Sequence, residues 1–344
     1  MKQVRTAILS FGMSGKVFHA PFIHVHPGFE LYAVWERTKN LASQFYPRIK
    51  TFRSLDNLLA DNSIELIIVN TPNTTHFEFA EKALKAGKNV LVEKPFTVNA
   101  EEARELLNLA EEKNLTIAVY QNRRWDSDFL TTKKVLDSRV LGDIVDAELH
   151  FDRFSPGLSP KLHKEIPGPG TGVLHDLGSH LIDAAIQLFG MPEKVFADLN
   201  MVRPVTKVSD YMNLILFYPK LRVQLRSSYL VKEPLPAFIL HGTKGSFYKS
   251  RADIQEAELV KDKLPGGRGW GTEPASEKGY VSIDGMERSY IETTKGDYMQ
   301  FFNQLHSSLT GNHEPPVTAA QALNVMKVID AAITSYQTKK IETI

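Results

Sequence analysis

The 344-residue chain contains no cysteine, which excludes disulfide bonds, thiolate metal ligands and a cysteine nucleophile. Long apolar runs are also missing, since none approaches the roughly 20 residues that a membrane helix needs. The N-terminus runs directly into a strand pattern without the apolar core of a signal peptide. The formal net charge of +1 gives no general reason to expect a nucleic acid or a membrane as partner. We therefore expect a cytoplasmic protein that is long enough for two domains.

The start of the chain has the pattern of a strand, a glycine turn and a helix in succession. The apolar run 4–9 leads into Ser10–Gly15, and Lys16 begins a helical pattern. In such a unit the glycines let the backbone approach a pyrophosphate at the N-terminus of the helix. Ser10 replaces the first glycine of G-x-G-x-x-G. Taken alone, this imperfect motif does not distinguish a cofactor site from an ordinary strand-to-helix turn.

A second predicted strand, residues 30–35, ends at Glu36. An acid about 20 residues beyond the glycines is the residue that holds the adenosine ribose hydroxyls of NAD. Arg37, Thr38 and Lys39 follow directly, and these residue types can receive the 2′-phosphate of NADP. The choice between NAD and NADP therefore stays open. The alternative is that residues 36–39 form an ordinary solvated loop.

Strand and helix patterns alternate through the first third of the chain, which predicts a parallel sheet covered on both faces. Ligands of such sheets bind beyond the carboxyl ends of the strands. Four loops are predicted at that edge, at residues 10–15, 70–76, 93–95 and 121–125. In the third loop, Glu93-Lys94-Pro95 closes an apolar strand and places a lone ammonium where a nicotinamide ring would lie.

The pattern changes after Trp125. Alternating strands at 144–153, 212–218, 222–229 and 238–241 predict a mostly antiparallel sheet with one covered face. Helices are predicted at 128–138, 173–189 and 319–337, and the polar stretch Leu264–Gly285 is predicted to be a surface insertion. Gly242–Ser246 lacks the residue order of a phosphate-binding loop and is predicted to be a hairpin turn.

The predicted helix 173–189 carries a second group of polar residues. Asp176 and His180 are four residues apart and so share a face, with Asp183 close by. A carboxylate beside an imidazole is a plausible general base, but it is also a common pair on helix surfaces. His19 and the histidines that follow it have no carboxylate at ligand spacing. We expect them to be structural or exposed, and no metal site is predicted.

In combination these motifs resemble the Gfo/Idh/MocA oxidoreductases over nearly the whole chain. Within that family the segment Asn122–Leu130 is most similar to the scyllo-inositol 2-dehydrogenase (NADP) group, which shares Asn-Arg-Arg-Trp-Asp-x-Asp-Phe-Leu. The family elements occur here in the usual order: Ser10–Gly15, Thr71-Pro72-Asn73 with His76, Glu93-Lys94-Pro95, Asn122–Trp125 and Asp176 with His180.

The resemblance implies an α/β fold in two domains. Residues 1–122 would form a Rossmann-type dinucleotide-binding domain with a doubly wound parallel sheet. Residues 123–344 would form an α/β domain with a large, mostly antiparallel open sheet that binds substrate. The outer face of that sheet would pair subunits into a homodimer or homotetramer.

The resemblance also implies roles for individual residues. His180 would be the catalytic base, Lys94 would stabilise the developing alkoxide, and Asp176 would orient the hydroxyl or tune His180. Substrate contacts would come from the same three residues with Asn122 and Arg124, although Arg123 and Arg124 are equally compatible with structural ion pairs. The cofactor, NAD or NADP, would contact Phe11, Gly12, Met13, Ser14, Gly15, Glu36, Arg37, Thr71, Pro72, Asn73, His76, Glu93, Lys94 and Asn122.

The leading functional expectation is an NAD(P)-dependent dehydrogenase of a secondary alcohol on a cyclic polyol or sugar. One alternative is an NAD-dependent glycosidase that oxidises a sugar transiently. Another is a non-catalytic dinucleotide sensor, against which the intact set of Lys94, Asp176 and His180 argues. Glu36 departs from the small polar residue that NADP-using relatives often have, so the cofactor preference and the substrate remain open.

Overall fold

The computed structural model describes residues 3–161, 164–311 and 313–344. The chain divides into two compact units, each assembled from three segments. Unit 1 comprises Met1–Asn122, Ile254–Trp270 and Asp297–Leu323, and unit 2 comprises Arg123–Asp253, Gly271–Gly296 and Asn324–Ile344. The predicted first domain, residues 1–122, did not include the two later segments of unit 1.

The strands of the described residues form a six-stranded and a nine-stranded sheet. The first sheet contains β1 (Val4–Ile8), β2 (Phe29–Trp35), β3 (Lys50–Phe52), β4 (Leu66–Val69), β5 (Asn89–Glu93) and β6 (Ile117–Tyr120). The second contains β7 (Ile144–His150), β8 (Lys194–Asn200), β9 (Tyr211–Phe217), β10 (Arg222–Ser228), β11 (Phe238–Gly242), β12 (Gly245–Lys249), β13 (Tyr280–Ile283), β14 (Ser289–Tyr290) and β15 (Glu342–Thr343).

The α-helices are α1 (Ala20–Val25), α2 (Ala42–Phe45), α3 (Leu55–Leu59), α4 (His76–Lys85), α5 (Ala100–Lys113), α6 (Ser127–Asp137), α7 (Ser179–Phe189), α8 (Gln255–Val260), α9 (Met299–Thr310) and α10 (Ala319–Thr338). Single π-helical turns, Gly15–His19 and Leu174–Gly178, lead directly into α1 and α7. No helix in residues 3–161, 164–311 or 313–344 is both long enough and apolar enough to span a bilayer.

The sheet of unit 1 confirms the predicted parallel sheet. Its strand order is β3-β2-β1-β4-β5-β6, and every neighbouring pair is parallel. This is the order of a dinucleotide-binding Rossmann fold, in which the direction of winding reverses between the first and fourth strands. The loops that follow β1, β4 and β5 therefore lie at one edge of the sheet. All three contain predicted cofactor residues.

Helix α5 illustrates why the helices of unit 1 could be predicted. The side chain of Asn99 caps its first turn by accepting the N–H of Glu102 at 2.9 Å. Asn114 ends it in a left-handed conformation, with φ of 52°. Its buried face consists of small and branched apolar residues, namely Ala100, Ala103, Leu106 and Ala110. The local caps and the apolar period thus agree with the fold.

The sheet of unit 2 is mostly antiparallel, as predicted. Its order is β14-β13-β12-β11-β7-β10-β9-β8-β15, and among the described strands only β7 and β10 pair in parallel. Along β9, Met212, Leu214 and Leu216 are fully buried while the residues between them are half-exposed. One face of the sheet is therefore covered, and α7 packs near β7 and β10.

One sequence prediction about the later part of the chain is wrong. The stretch Leu264–Gly285, which was expected to be a surface insertion, contains strand β13 and the buried side chain of Glu273. Polar composition concealed this because Glu273 is buried through an ion pair with Lys249 rather than through apolar contacts. The predicted hairpin turn at residues 242–246 is confirmed, since Gly242 pairs with Gly245 across β11 and β12.

Candidate active site

The glycine turn after β1 is built by direct backbone contacts. A Cβ atom on Gly15 would lie 2.1 Å from the carbonyl oxygen of Ser10 and 2.9 Å from Nδ2 of Asn70, so only glycine fits. Asn70 Nδ2 also donates to the Ser10 carbonyl at 2.8 Å. Ser10, which replaces a motif glycine, accepts the N–H of Gly12 on its hydroxyl at 3.3 Å. The turn therefore remains closed although serine replaces the motif glycine at position 10.

The surface of this turn suits a phosphate. Gly12 is exposed, and a Cβ built there would meet only the Ser10 hydroxyl, 3.5 Å away. The π-helical turn Gly15–His19 begins directly after it, so the positive end of a helix faces the same loop. Met13 is exposed, Ser14 is partly exposed and Phe11 is buried beneath. An exposed glycine backbone beside a helix N-terminus is the arrangement that binds pyrophosphate in dinucleotide-binding folds.

The carboxylate of Glu93, the last residue of β5, is held by hydrogen bonds within unit 1. Its Oε1 accepts a hydrogen bond from the Ser14 hydroxyl and lies 2.8 Å from Nε2 of His19. Its Oε2 accepts the backbone N–H of Lys94 at 3.1 Å. Unit 1 thus brings together three predicted site residues, Ser14, Glu93 and Lys94. His19, which the sequence predicts to be structural or exposed, joins them.

His76 joins two of the predicted cofactor loops. It is buried, its Nδ1 lies 2.9 Å from the carbonyl oxygen of Pro95, and its Nε2 lies 3.0 Å from that of Thr71. Burial lowers the pKa of His76, and a neutral ring can donate to only one carbonyl at a time. Pro72 and Asn73, which lie between Thr71 and His76, begin a short 3-10 turn. Pro72 is exposed and Asn73 is half-exposed. His76 therefore holds the loop, while its neighbours present the surface.

The carboxylate of Glu36 forms hydrogen bonds with the backbone of its own loop. It is buried and accepts the backbone N–H groups of Leu41 at 3.0 Å and Ala42 at 3.1 Å, at the start of α2. Arg53 Nη1 donates to the Glu36 carbonyl at 2.8 Å and also to that of Lys39. Arg37 is exposed. The loop is therefore ordered by Glu36 and Arg53, and Arg37 faces solvent from it.

In unit 2, Asp176 is held by two residues that the sequence did not indicate. Lys164 Nζ donates to both carboxylate oxygens, at 3.0 and 2.9 Å, and the Tyr229 hydroxyl donates to Oδ2 at 3.3 Å. Burial, together with the charge of Asp176, raises the pKa of Tyr229, so its hydroxyl stays protonated. Asp176 lies on the π-helical turn that leads into α7, and His180 lies on the first turn of α7 itself.

His180 lines a narrow cavity within unit 2. Its ring is 7 % exposed and stacks on Phe151 with centroids 6.2 Å apart. Arg251 lies over the same Phe151 ring, with Cζ 4.0 Å from the centroid, and Arg123 also lines the cavity. Cationic groups over an aromatic face are stabilised by the ring quadrupole. Phe151 therefore packs against both the ring of His180 and the guanidinium of Arg251.

Arg124 forms a buried ion pair. Its Nε donates to Asp183 Oδ2 at 2.9 Å and its Nη2 to Oδ1 at 2.6 Å, and both side chains are less than a tenth exposed. Arg123 Nη1 donates to Asp126 at 3.3 Å. Both arginines thus form the structural ion pairs that were the alternative to substrate binding. A substrate contact of Arg124 stays a prediction. Asn122, the last residue of the first segment of unit 1, is 5 % exposed.

Both halves of the chain match models of one oxidoreductase family. Residues 4–121 match the family described as oxidoreductase family, NAD-binding Rossmann fold, and residues 133–343 match its C-terminal alpha/beta domain. The chain belongs to the Gfo/Idh/MocA oxidoreductase family. It is accordingly an oxidoreductase with an NAD-binding Rossmann domain, as the motifs predicted, and the bound cofactor is NAD or NADP.

Relatives of this Gfo/Idh/MocA chain cover nearly its whole length. An uncharacterized oxidoreductase of Schizosaccharomyces pombe, C115.03, is 41% identical and aligns over 97% of this chain and 98% of its own. The scyllo-inositol 2-dehydrogenase (NADP(+)) IolW of Bacillus subtilis is 34% identical over 98% of this chain and 95% of its own. The crystal structure of an oxidoreductase from Bacillus cereus is 31% identical, covers 99% of both chains and has a TM-score of 0.91.

Proposed function

We propose that this protein is an NAD(P)-dependent dehydrogenase that acts on a secondary alcohol of a cyclic polyol or sugar of the inositol type. The observation that carries the proposal is the position of Lys94 in unit 1. It directly follows β5, and its neighbour Glu93 is hydrogen-bonded to Ser14 of the glycine turn. Lys94 and the predicted pyrophosphate turn are therefore held together by the carboxylate of Glu93.

The catalytic residues of this proposal are Lys94, Asp176 and His180. The nicotinamide of a bound dinucleotide supplies the hydride acceptor for such an oxidation. His180 takes the hydroxyl proton, because an imidazole titrates near neutral pH. Lys94 stabilises the negative charge that develops on oxygen as the proton leaves. Asp176 orients the hydroxyl, and Lys164 and Tyr229 hold the carboxylate in place for that task.

The choice of an inositol-like substrate is supported by the similarity to IolW, a scyllo-inositol 2-dehydrogenase (NADP(+)), and by the segment Asn122–Leu130. We propose NADP as the preferred cofactor. Glu36 already accepts two backbone N–H groups, whereas the guanidinium of Arg37 is exposed beside it. An exposed arginine can bind a 2′-phosphate through paired N–H donors.

A homodimer or homotetramer formed through the open face of the second sheet belongs to the same proposal. The edge of that sheet carries a row of tyrosines, in which Tyr248 stacks on Tyr280 at 5.0 Å and Tyr280 contacts Tyr290 at 6.2 Å. Tyr290 is 69% exposed. Light scattering after size exclusion tests this point, and a monomer at micromolar concentration would contradict it.

The catalytic assignment is tested by absorbance at 340 nm with NAD or NADP across inositols, aldoses and sugar acids. With a substrate found, Lys94→Ala should abolish turnover while leaving dinucleotide binding within a few-fold. Lys85→Ala, which removes an exposed lysine of α4 in the same unit, is the matched control and should change neither. An undiminished rate in Lys94→Ala would contradict the assignment, and release of an aglycone without net NADH would favour the glycosidase alternative.

A further inference from the structure

A fully buried histidine contacts the residue that precedes Lys94. His19 is the last residue of the π-helical turn after the glycine loop, and its side chain is 0% exposed. Its Nε2 lies 2.8 Å from Oε1 of Glu93. The two residues are 74 positions apart in the chain, so the fold rather than local spacing brings them together.

The Glu93 carboxylate joins three segments of unit 1. It accepts hydrogen bonds from Ser14 in the glycine turn, from His19 at the end of the π-helical turn, and from the backbone N–H of Lys94. Burial by itself raises the pKa of Glu93, but the hydrogen bonds and charges around it, those of His19 foremost, lower it to about 2. Because an ionised carboxylate can only accept, Nε2 of His19 carries the proton and donates it.

The ring of His19 sits among aromatic side chains. Its centroid is 4.5 Å from that of Tyr120 and 6.5 Å from that of Phe302, and both of these residues are buried. Within the part of the chain that the structure describes, Nδ1 of His19 makes no hydrogen bond. A buried nitrogen without a partner costs free energy, which an apolar side chain in the same place would not incur. What histidine supplies here is therefore the hydrogen bond to Glu93.

We propose that His19 is a positioning residue that, through Glu93, holds the glycine turn and the backbone of Lys94 in one geometry before the dinucleotide binds. The proposal rests on the proposed function only where it treats Lys94 as catalytic. The coupling of turn and lysine is a property of unit 1 itself. It can be measured without a substrate.

The test compares three variants of the full chain. His19→Leu removes the donor and keeps the space filled, whereas His19→Gln keeps an N–H that can reach Glu93. His24→Leu is the matched control, because His24 is an exposed histidine of α1 whose ring contacts Tyr46 instead. Two quantities are measured: hydrogen exchange of the Lys94 amide by mass spectrometry, and the Kd for NADH and NADPH by fluorescence.

For His19→Leu we expect Lys94 amide exchange to accelerate at least about tenfold and the dinucleotide Kd to rise at least about tenfold, as for the loss of a hydrogen bond to a charged group. His19→Gln should stay within about threefold of the original protein in both quantities, and His24→Leu should change neither. If His19→Leu does not fold, His19→Asn replaces it, since its amide is too short to reach Glu93.

If His19 had only a structural role, a different result is expected. In that case His19→Leu would lower the melting temperature but leave Lys94 exchange and the dinucleotide Kd at their original values, which would overturn the proposal. Failure of His19→Gln to restore either quantity would overturn it as well. The expected exchange and Kd changes in a protein that oxidises no polyol would leave the role of His19 intact and count against the proposed function instead.

Discussion

Arg124 and Asp183 offer a direct way to separate a structural role from a substrate-binding one. Their side chains are 9% and 5% exposed, and two parallel hydrogen bonds join them. Removing one partner of such a pair leaves a buried charge without compensation, which costs about 3–5 kcal/mol. Arg124→Met should therefore destabilise unit 2 by about that amount. Replacing both partners, as in Arg124→Met with Asp183→Leu, should restore most of the loss because no unpaired charge remains.

The assay is urea unfolding followed by tryptophan fluorescence. The chain has three tryptophans, and only Trp125 belongs to unit 2. A Trp35→Phe, Trp270→Phe background therefore reports the unfolding of unit 2. The matched control is Lys133→Met, which breaks an exposed pair with Asp137 on α6. That change should cost no more than about 0.5 kcal/mol.

The two roles of Arg124 predict different outcomes for the double variant. If Arg124 serves only the ion pair, the variant regains both stability and turnover. If Arg124 also binds substrate, stability returns but the KM for substrate rises. A single Arg124→Met variant that costs no more than the Lys133 control would refute the reasoning, because the pair would then contribute nothing despite its burial.

Three further predictions follow from other residues. Arg37→Ala should raise the Kd for NADPH at least about tenfold and that for NADH by less than about twofold, since a charge-assisted bond to the 2′-phosphate is lost; equal changes in fluorescence titrations would contradict an NADP preference. Lys249→Met should destabilise unit 2 by about 3–5 kcal/mol in urea, because Glu273 would keep a buried charge after losing its 2.7 Å partner. A loss below about 1 kcal/mol would contradict this, because the hydroxyls of Ser127 and Thr293, which also donate to Glu273, would then be sufficient to stabilise its charge. Since the pKa of Glu93 is lowered to about 2 from its usual 4.5, the unfolded chain binds the proton more readily. The stability that Glu93 contributes, about 3 kcal/mol, is present above pH 4.5 and is lost as the pH falls towards 2, so unfolding free energies should fall less steeply with acid in Glu93→Gln.

The fold was predictable where local signals and topology agree. Strand β4 is an apolar run whose residues are all buried, which is the signature of a strand covered on both faces. Strand β3 has three half-exposed or exposed residues, and β14 has two exposed ones, so neither carries an apolar period. Their pairing follows from the neighbouring strands rather than from their own residues.

The local motifs of the candidate site can be recognised in the sequence, whereas their distant partners cannot. The glycine turn and the Asp176 and His180 pair are local spacings, and the structure places the first of them at the carboxyl edge of the parallel sheet. The partners that hold these groups are distant in sequence: 74 positions separate His19 from Glu93, and 59 separate Arg124 from Asp183. No periodicity links such residues, because the topology decides which of many candidate donors meets a given carboxylate.

The contacts of Asp176 help to assign the proton transfer in the proposed reaction. Its carboxylate accepts two hydrogen bonds from Lys164 and one from Tyr229. Hydrogen bonds and an adjacent cation stabilise the charged form of a carboxylate. The charged form is well suited to accept a hydrogen bond from a substrate hydroxyl and so to fix its direction. His180, which rests against the apolar ring of Phe151, is then the group whose ordinary chemistry fits the base.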